Sequence, residues 1–144
     1  LLKQEILEEK ITNYADNFSK IMKTELVDKR YLIADTLKFI KENYKKYNLH
    51  IVSGSDEKEL KYLCKELGID SFFQSINGSP THKNKLVEDV LVINKYMESE
   101  TILIGDSVND YDAAKENNLD FYGFNNPNLI NVSKKYLDNY MGLL

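Results

Sequence analysis

The sequence predicts an α/β fold in which parallel strands carry helices on both faces. From about residue 33 onward, short apolar runs alternate with amphipathic stripes, an order typical of strands joined by right-handed helical crossovers. Glycine, serine, proline or asparagine stands at several of the junctions, where the chain must turn. The 144 residues suffice for one such domain with a small appendage.

The first thirty residues have the pattern of helix alone. Apolar side chains at spacings of four and three predict an amphipathic helix over about residues 3–27: Leu7, Ile11, Tyr14, Phe18 and Ile21. A second stripe predicts another helix, which Asn48 ends: Ile33, Leu37, Ile40, Tyr44 and Tyr47. We therefore divide the chain into a helical appendage, residues 1–30, and an α/β unit, residues 31–144.

Four strands and three further helices are expected in the α/β unit. The strands are predicted at residues 49–52, 72–76, 101–104 and 121–124. Asp56 and Glu59 have the spacing of a helix N-cap and its partner, and Gly68 stops that helix. The other helices begin near Thr81 and span about residues 108–117. After an asparagine-rich loop at residues 125–128, we expect a short amphipathic tail.

Composition narrows the classes of function. The formal net charge is -4, so the chain lacks the excess of basic residues that is typical of nucleic-acid-binding domains. This argues against a nucleic-acid partner. The single cysteine excludes an internal disulfide and fits a reducing compartment. The sequence has neither an apolar run long enough to span a bilayer nor a signal-peptide pattern at its start. We therefore expect a cytoplasmic protein with no membrane partner.

Two carboxylates, Asp106 and Asp110, follow the strand predicted at residues 101–104. Ligands of open α/β sheets bind at the carboxyl ends of the strands, and Mg²⁺ takes one or two protein carboxylates together with substrate phosphate oxygens. The pair therefore predicts a magnesium-assisted phosphoryl-transfer site. Helix capping is the alternative for Ser107 and Asp110, although it leaves Asp106 unexplained. An EF-hand is excluded because Val108 would occupy its third ligand position.

The tripeptide Ser53-Gly54-Ser55 lies between a predicted strand and a predicted helix. Helix N-termini present free N–H groups and a partial positive charge, which suit a phosphate. The Ser53 hydroxyl and the Gly54 backbone could both contact such a group. Ordinary helix capping is the alternative, and from these residues alone it is the more common explanation.

Lys83 opens a predicted helix after the turn Gly78-Ser79-Pro80-Thr81-His82. A cation is mildly unfavourable near a helix N-terminus, so we expect something else to hold it there, such as a bound anion. A solvated surface lysine is the alternative, and Lys85 is a weaker candidate for the same role. We expect no chemistry from three further residues, which have the patterns of strand, loop and inert core respectively: His50, His82 and Cys64.

Three motifs thus stand in a fixed order: Leu49-His50-Ile51-Val52-Ser53-Gly54, the turn ending in Lys83, and Ile104-Gly105-Asp106-Ser107-Val108-Asn109-Asp110 followed by Ala113 and Ala114. In this order they resemble the second, third and fourth motifs of the haloacid dehalogenase (HAD) superfamily, especially its phosphoglycolate-phosphatase-like branch. The resemblance covers about residue 30 to the end. It implies a three-layer, Rossmann-like core with a parallel sheet, preceded by a remnant of a helical cap.

The resemblance also implies a role for each matched residue. Ser53 and the Gly54 N–H would bind phosphate, Lys83 would bind phosphate and act as a catalytic residue by stabilising charge, and Asp106 and Asp110 would hold Mg²⁺. The implied reaction is hydrolysis of a small phosphomonoester, with a small phosphorylated metabolite as the partner.

The family's first motif, Asp-x-Asp-x-Thr on the central strand, is absent from the chain. Asp35-Thr36 resembles only its end, and Asp35 belongs to a helical stripe. We therefore expect a fragment or truncated form of a Mg-dependent HAD-like phosphatase that is inactive as this chain alone. Without the first strand, neighbouring strand edges would pair with each other or with another chain, and a homodimer is one expected outcome.

Two rival functions remain open from the sequence. The first is a non-catalytic HAD-like module that binds phosphate or a protein, and the presence of the first motif upstream of Leu1 would discriminate against it. The second is a signalling receiver domain, which the long helical lead-in and the late acidic pair disfavour.

Overall fold

The computed structural model describes residues 32–140, together with residues 20, 24, 28 and 143. Lys20 and Thr24 are helical, and the Thr24 hydroxyl donates a hydrogen bond to the Lys20 carbonyl over 2.9 Å. The rest of the helix predicted over residues 3–27, and the appendage of residues 1–30 to which it belongs, lies outside the described residues.

Helices and strands alternate through the described part of the chain. Their order is α1 (Ala34–Asn43), β1 (His50–Asp56), α2 (Glu57–Glu66), β2 (Ser75–Ser79), α3 (Lys83–Asn94), β3 (Ile102–Gly105), α4 (Val108–Glu116), β4 (Asp120–Phe124) and β5 (Lys135–Leu137). Short 3₁₀ turns occur at Asp70–Phe72, Glu98–Glu100 and Pro127–Leu129. Every pair of hydrogen-bonded strands is parallel, so the predicted α/β class with a parallel sheet is confirmed.

The strands form two separate sheets. β1 pairs with β2, with His50 opposite Ser75, and β4 lies between β3 and β5, with Ile102 opposite Asp120. Among the described strands, β1 and β3 are not hydrogen-bonded to each other. The edge of β1 that faces away from β2 and the edge of β3 that faces away from β4 therefore do not pair with each other.

β1 is longer than predicted because it continues through the expected turn. Val52 is opposite Asn77, and the next pair in the register is Asp56 opposite Ser79. Three residues of β1 therefore stand where β2 has one, so β1 carries two extra residues at this point. Such a bulge bends a strand while leaving its pairing intact on either side. Ser53-Gly54-Ser55 is therefore an irregular stretch of strand rather than a turn.

The tail expected after residue 128 contains a strand that the sequence did not predict, because the chain there forms β5 along β4. The Lys134 N–H donates to the Phe121 carbonyl over 2.9 Å, and the Leu137 side chain is buried. A strand of three residues is too short to show alternation in the sequence. Residues 135–137 form a strand because they pair with β4, and local sequence patterns do not predict such a long-range contact.

Side chains of β4 show that both faces of its sheet are covered. Phe121 points into a core formed with α3 and α4, whose members are Val87, Leu91, Ala113, Ala114, Leu119, Phe121 and Leu129. Phe124 lies on the opposite face, since side chains alternate along a strand. Its ring contacts the Tyr140 ring at 4.9 Å, and Tyr140 in turn contacts Phe39 of α1 at 5.6 Å. None of the described helices is both long and apolar enough to cross a membrane.

Candidate functional site

Lys83 and Asp110 form an ion pair at the carboxyl ends of β2 and β3. The Lys83 Nζ lies 2.5 Å from Asp110 Oδ1, and only 20% and 11% of the two side chains are exposed. Lys83 is the first residue of α3, and Asp110 lies in the first turn of α4. The anion expected beside Lys83 is thus a protein carboxylate, which offsets the unfavourable helix dipole there.

The second oxygen of Asp110 organises the loop before α4. Oδ2 accepts hydrogen bonds from the backbone N–H of Asp106 over 3.2 Å, the N–H of Ser107 over 3.0 Å and the Ser107 hydroxyl over 2.7 Å. The Ser107 hydroxyl oxygen accepts from the Asp110 N–H over 3.2 Å, which completes a capping box. The capping interpretation therefore applies to Asp110, and its role as a metal ligand stays a prediction.

Gly105 makes room for this arrangement. A Cβ at Gly105 would lie 2.3 to 2.5 Å from the Asp110 side chain, far inside contact distance. Only glycine at the end of β3 lets the Asp110 carboxylate fold back beneath the strand. No role for Gly105 was predicted, although a glycine between a strand and an aspartate indicates a close approach of the backbone to another group.

Asp106 offers the free carboxylate of the site. The residue is exposed, and its side chain makes no hydrogen bond or ion pair within the described part of the chain. Its backbone carbonyl accepts a hydrogen bond from Asn126 Nδ2 over 2.8 Å, which ties the loop after β3 to the loop after β4. The sequence predicts an asparagine-rich loop at residues 125–128, but no pattern in it indicates that Asn126 positions the loop after β3.

Ser53 and Gly54 lie near the carboxyl end of β1, without a direct link to the ion pair. The Ser53 hydroxyl accepts the Ser55 N–H over 3.1 Å, and among the described residues it bonds to neither Lys83 nor Asp110. The cap of α2 comes from Asp56, whose carboxylate accepts the Glu59 N–H over 3.0 Å. Capping therefore does not explain Ser53. A Cβ at Gly54 would meet open space, so its backbone is accessible to a ligand.

The other residues considered in the sequence make no described contact with the Lys83–Asp110 pair. Lys85 pairs with Glu88 at 2.9 Å and Asp89 at 3.0 Å on the exposed side of α3, and these partners raise its pKa. His50 is a strand residue, as predicted: its ring nitrogens bond to Ser75 Oγ at 2.8 Å and the Tyr96 hydroxyl at 3.1 Å. His82 precedes α3 without capping it, and Cys64 is buried.

Tyr140 approaches the site from the far end of the chain. Its backbone N–H donates to Asp35 Oδ2 over 2.9 Å. Burial, followed by the nearby carboxylates of Asp35 and Asp106, raises the pKa of the Tyr140 hydroxyl to about 12. Asp35 thus anchors the C-terminal segment to α1. No local pattern in the sequence pointed to Tyr140.

The donor set around β3 fits a magnesium ion that keeps most of its ligands as water or phosphate. Asp106 supplies an uncommitted carboxylate, whereas both oxygens of Asp110 already accept hydrogen bonds. Mg²⁺ is commonly bound through only one or two carboxylates. Within residues 32–140, no three acidic, histidine or cysteine side chains gather into a ready-made metal cage.

A family model described as haloacid dehalogenase-like hydrolase matches residues 1–124. This match spans most of the 144 residues. The chain belongs to the haloacid dehalogenase-like hydrolase family. The comparison with curated proteins gives no match.

Solved structures of HAD hydrolases share this fold. A HAD-like hydrolase of Streptococcus pneumoniae is 24% identical, with a TM-score of 0.68 over 73% of this chain and 54% of its own. A protein of Clostridium difficile described as a phosphatase is 19% identical, with a TM-score of 0.68 over 75% and 56%. The magnesium-bound HAD hydrolase YfnB of Bacillus subtilis is 20% identical, with a TM-score of 0.64 over 78% and 53%. The HAD-like chain therefore spans little more than half the length of these neighbours.

Proposed function

We propose that this HAD-like chain carries the phosphate- and magnesium-binding part of a phosphohydrolase that acts on small phosphomonoesters. The observation that carries the proposal is the Lys83–Asp110 pair, which joins a cation to the loop that carries the exposed Asp106, at the carboxyl ends of β2 and β3. Ligands of such sheets bind at this end of the strands. The proposed partner is a small phosphorylated metabolite, and the proposal includes a cytoplasmic location, which the unpaired Cys64 supports.

Each residue has a distinct part in the proposed chemistry. Asp106 would hold Mg²⁺, and the bound ion would supply positive charge against the phosphoryl oxygens. Lys83 would donate a hydrogen bond to the same oxygens and stabilise the charge that develops on them. Ser53 and the Gly54 N–H would hold the phosphate from the side of β1. Asp110 would keep the Lys83 ammonium and the Asp106 loop in place, and its Oδ1, which has a further lone pair beside the hydrogen bond from Lys83, would join Asp106 in holding the ion.

Attack on phosphorus needs a nucleophile, and the chain has no Asp-x-Asp-x-Thr sequence to provide one. Two unit charges of like sign 4 Å apart repel by roughly 4 kcal/mol at an effective dielectric of 20. The residues above would offset that repulsion, but they do not supply the attacking group. We therefore propose that the 144-residue chain alone has little or no phosphatase turnover.

The test is a phosphatase assay on the purified chain with p-nitrophenyl phosphate, with Mg²⁺ and with EDTA. We expect rates at the level of the buffer blank in both conditions. A magnesium-dependent rate that Asp106→Asn abolishes, and that Asp112→Asn on the exposed side of α4 leaves intact, would contradict the proposed inactivity. Such a result would at the same time support the site.

A further inference from the structure

The backbone of Asp106 is held on both sides, although its carboxylate has no hydrogen bond or ion pair among the described residues. The Asp106 N–H donates to Asp110 Oδ2 over 3.2 Å, and the Asp106 carbonyl accepts from Asn126 Nδ2 over 2.8 Å. The first partner comes from α4 and the second from the loop after β4. A side chain on a backbone that is fixed in this way can point in only a few rotameric directions.

The bond from Asn126 lies just beyond the point where β3 and β4 stop pairing. The last residues that stand opposite each other in these strands are Gly105 and Gly123, and Asp106 is the next residue of the chain after Gly105. The backbone of β4 continues along β5 through Phe124 and no longer pairs with the chain after β3. The Asn126 side chain therefore supplies a link between the two strand ends that the backbone ladder does not provide.

The Asn126 amide is itself held in one orientation. Its Oδ1 accepts from the Asn128 N–H over 3.2 Å, so the NH₂ end is the one directed at Asp106. Its backbone is extended, with φ -147 and ψ 99, as is typical of a residue that precedes a proline, here Pro127. The Asn126 carbonyl accepts from the N–H of Leu129 over 3.0 Å, and the Leu129 side chain is buried. The position of the donor is thus fixed by its own loop.

We propose that Asn126 is a positioning residue of the metal site, which acts through the Asp106 backbone to hold the Asp106 carboxylate where it binds Mg²⁺. The inference rests on the proposed function, because it takes Asp106 as a ligand of the ion. Both ends of the Asn126 amide are engaged, so Asn126 acts on the ligand and not as a ligand. Groups that orient a metal ligand in this way typically contribute about 10- to 100-fold to metal affinity.

The physical reason is the small number of protein ligands. A Mg²⁺ ion held through one or two carboxylates gains little from the protein beyond those contacts, so the cost of ordering the Asp106 loop weighs heavily on the affinity. The bonds from Asp110 and Asn126 order that loop as part of folding. Asn126 should therefore strengthen Mg²⁺ binding without contacting the ion.

Helix capping is the alternative role for Asn126, since its Oδ1 caps the 3₁₀ turn at Pro127–Leu129. Asn126→Ser separates the two roles. Serine is also a good N-cap, whereas its hydroxyl is one bond shorter than the asparagine amide and does not reach the Asp106 carbonyl. Asn128→Ser is the matched control, because it makes the same exchange in the same loop at an exposed side chain.

The test is a titration of the 144-residue chain with Mg²⁺ alone, followed by the amide NMR signal of Ser107. We expect Asn126→Ser to weaken Mg²⁺ binding about tenfold and Asn128→Ser to leave it unchanged. Asp106→Asn should abolish the response, which identifies the site that the signal reports.

A second readout needs no metal. Backbone ¹⁵N relaxation of the metal-free chain reports how well the Asp106 N–H is ordered. We expect its order parameter to fall from about 0.85, the value of rigid backbone, towards about 0.6 in Asn126→Ser and to stay unchanged in Asn128→Ser. If Asn126→Ser fails to fold, the side-chain amide signal of Asn126 in the unaltered chain decides. It should shift with Mg²⁺ at the same affinity as the Ser107 amide, and the absence of that shift would overturn the inference.

The outcomes distinguish this inference from the proposed function. If Asp106→Asn abolishes Mg²⁺ binding but Asn126→Ser binds the ion as tightly as the natural chain, the metal site stands and the positioning role of Asn126 is refuted. Equal weakening by the two serine variants would also refute it, since the effect would then belong to the loop as a whole. Binding that Asp106→Asn leaves unchanged would refute the proposed metal site, and this inference with it.

Discussion

The Lys83 ammonium and the Asp110 carboxylate join two turns that are 27 residues apart, over 2.5 Å. One turn follows β2 and the other follows β3, and both open a helix. The pair is mostly shielded from solvent, so its attraction is screened less than that of a surface pair. The charged groups of the candidate site are therefore held together by the chain's own side chains.

Breaking this pair from either side should destabilise the fold. For Asp110→Asn we expect a loss of about 1–3 kcal/mol in the free energy of unfolding, because a partly buried ammonium loses its charged partner. Lys83→Met and the double variant complete a cycle, and their effects should not add. Urea unfolding followed by circular dichroism measures each value.

Lys85 provides the matched control for that cycle. Its ion pairs with Glu88 and Asp89 lie on an exposed helix face. Lys85→Met should therefore leave the free energy of unfolding almost unchanged. Equal losses for the Lys83 and Lys85 variants, or strict additivity in the cycle, would show that the Lys83–Asp110 contact is not coupled.

Gly105→Ala should be among the more damaging single changes in the described part of the chain. The new Cβ would lie 2.3 Å from Asp110 Cβ, so either β3 or the start of α4 must move. We expect a loss of about 2 kcal/mol or more, comparable to other steric conflicts in a core. Gly54→Ala is the control, since nothing lies within 4 Å of the corresponding Cβ. A similar loss in both variants would show that the clash with Asp110 is not the cause, since the lower entropy of the unfolded chain by itself stabilises a Gly→Ala variant.

His50 should make the stability depend on pH below neutrality. Burial lowers the pKa of its imidazole from 6.5, so the unfolded chain binds a proton more readily than the folded one. The contribution is fully present above pH 6.5 and is lost as the pH falls through the lower pKa of the folded state. Unfolding free energies measured from pH 5 to 7 should rise more steeply in the natural chain than in His50→Gln. An equal slope in both, with His82→Gln as a further comparison, would exclude His50 as the cause.

Cys64 should react only when the chain opens. Its side chain is buried, and burial raises the pKa of the thiol, which keeps it from forming the reactive thiolate. Labelling with DTNB at pH 8 should be slow in buffer and fast in urea. In a Cys64→Ser background, Ser55→Cys places a thiol at an exposed position and should react at once. Rapid labelling of Cys64 in buffer would contradict the described packing of α2.

The order of the elements could be predicted from the sequence, whereas the roles of the site residues stay predictions. Apolar periodicity located α2, α3, α4 and the strands β3 and β4 to within a few residues, and Gly68, with φ +69, ends α2 as expected. A bound anion was the expected partner of Lys83, whereas its partner among the described residues is the Asp110 carboxylate. The spacing of residues along the chain predicts where helices and strands begin and end, because caps, turns and strand ends are local features.

Long-range contacts were beyond the sequence patterns. β5 exists only because residues 135–137 lie along β4, and Tyr140 reaches Asp35 across 105 residues. The bulge in β1 reflects its pairing with β2, not any local signal. Likewise, Ser53 and Gly54 remain predicted ligands of a phosphate, since a role in binding can only be tested with the ligand itself.

The most direct test of the site is a titration of the chain with inorganic phosphate in the presence of Mg²⁺, followed by the amide NMR signals of Gly54, Lys83 and Asp106. We predict that all three signals shift together with one affinity, that Asp106→Asn abolishes the magnesium-dependent part of the response, and that Asp112→Asn does not. Signals that stay unchanged, or shift with unrelated affinities, would show that these turns do not form a common site for a phosphate and a divalent cation.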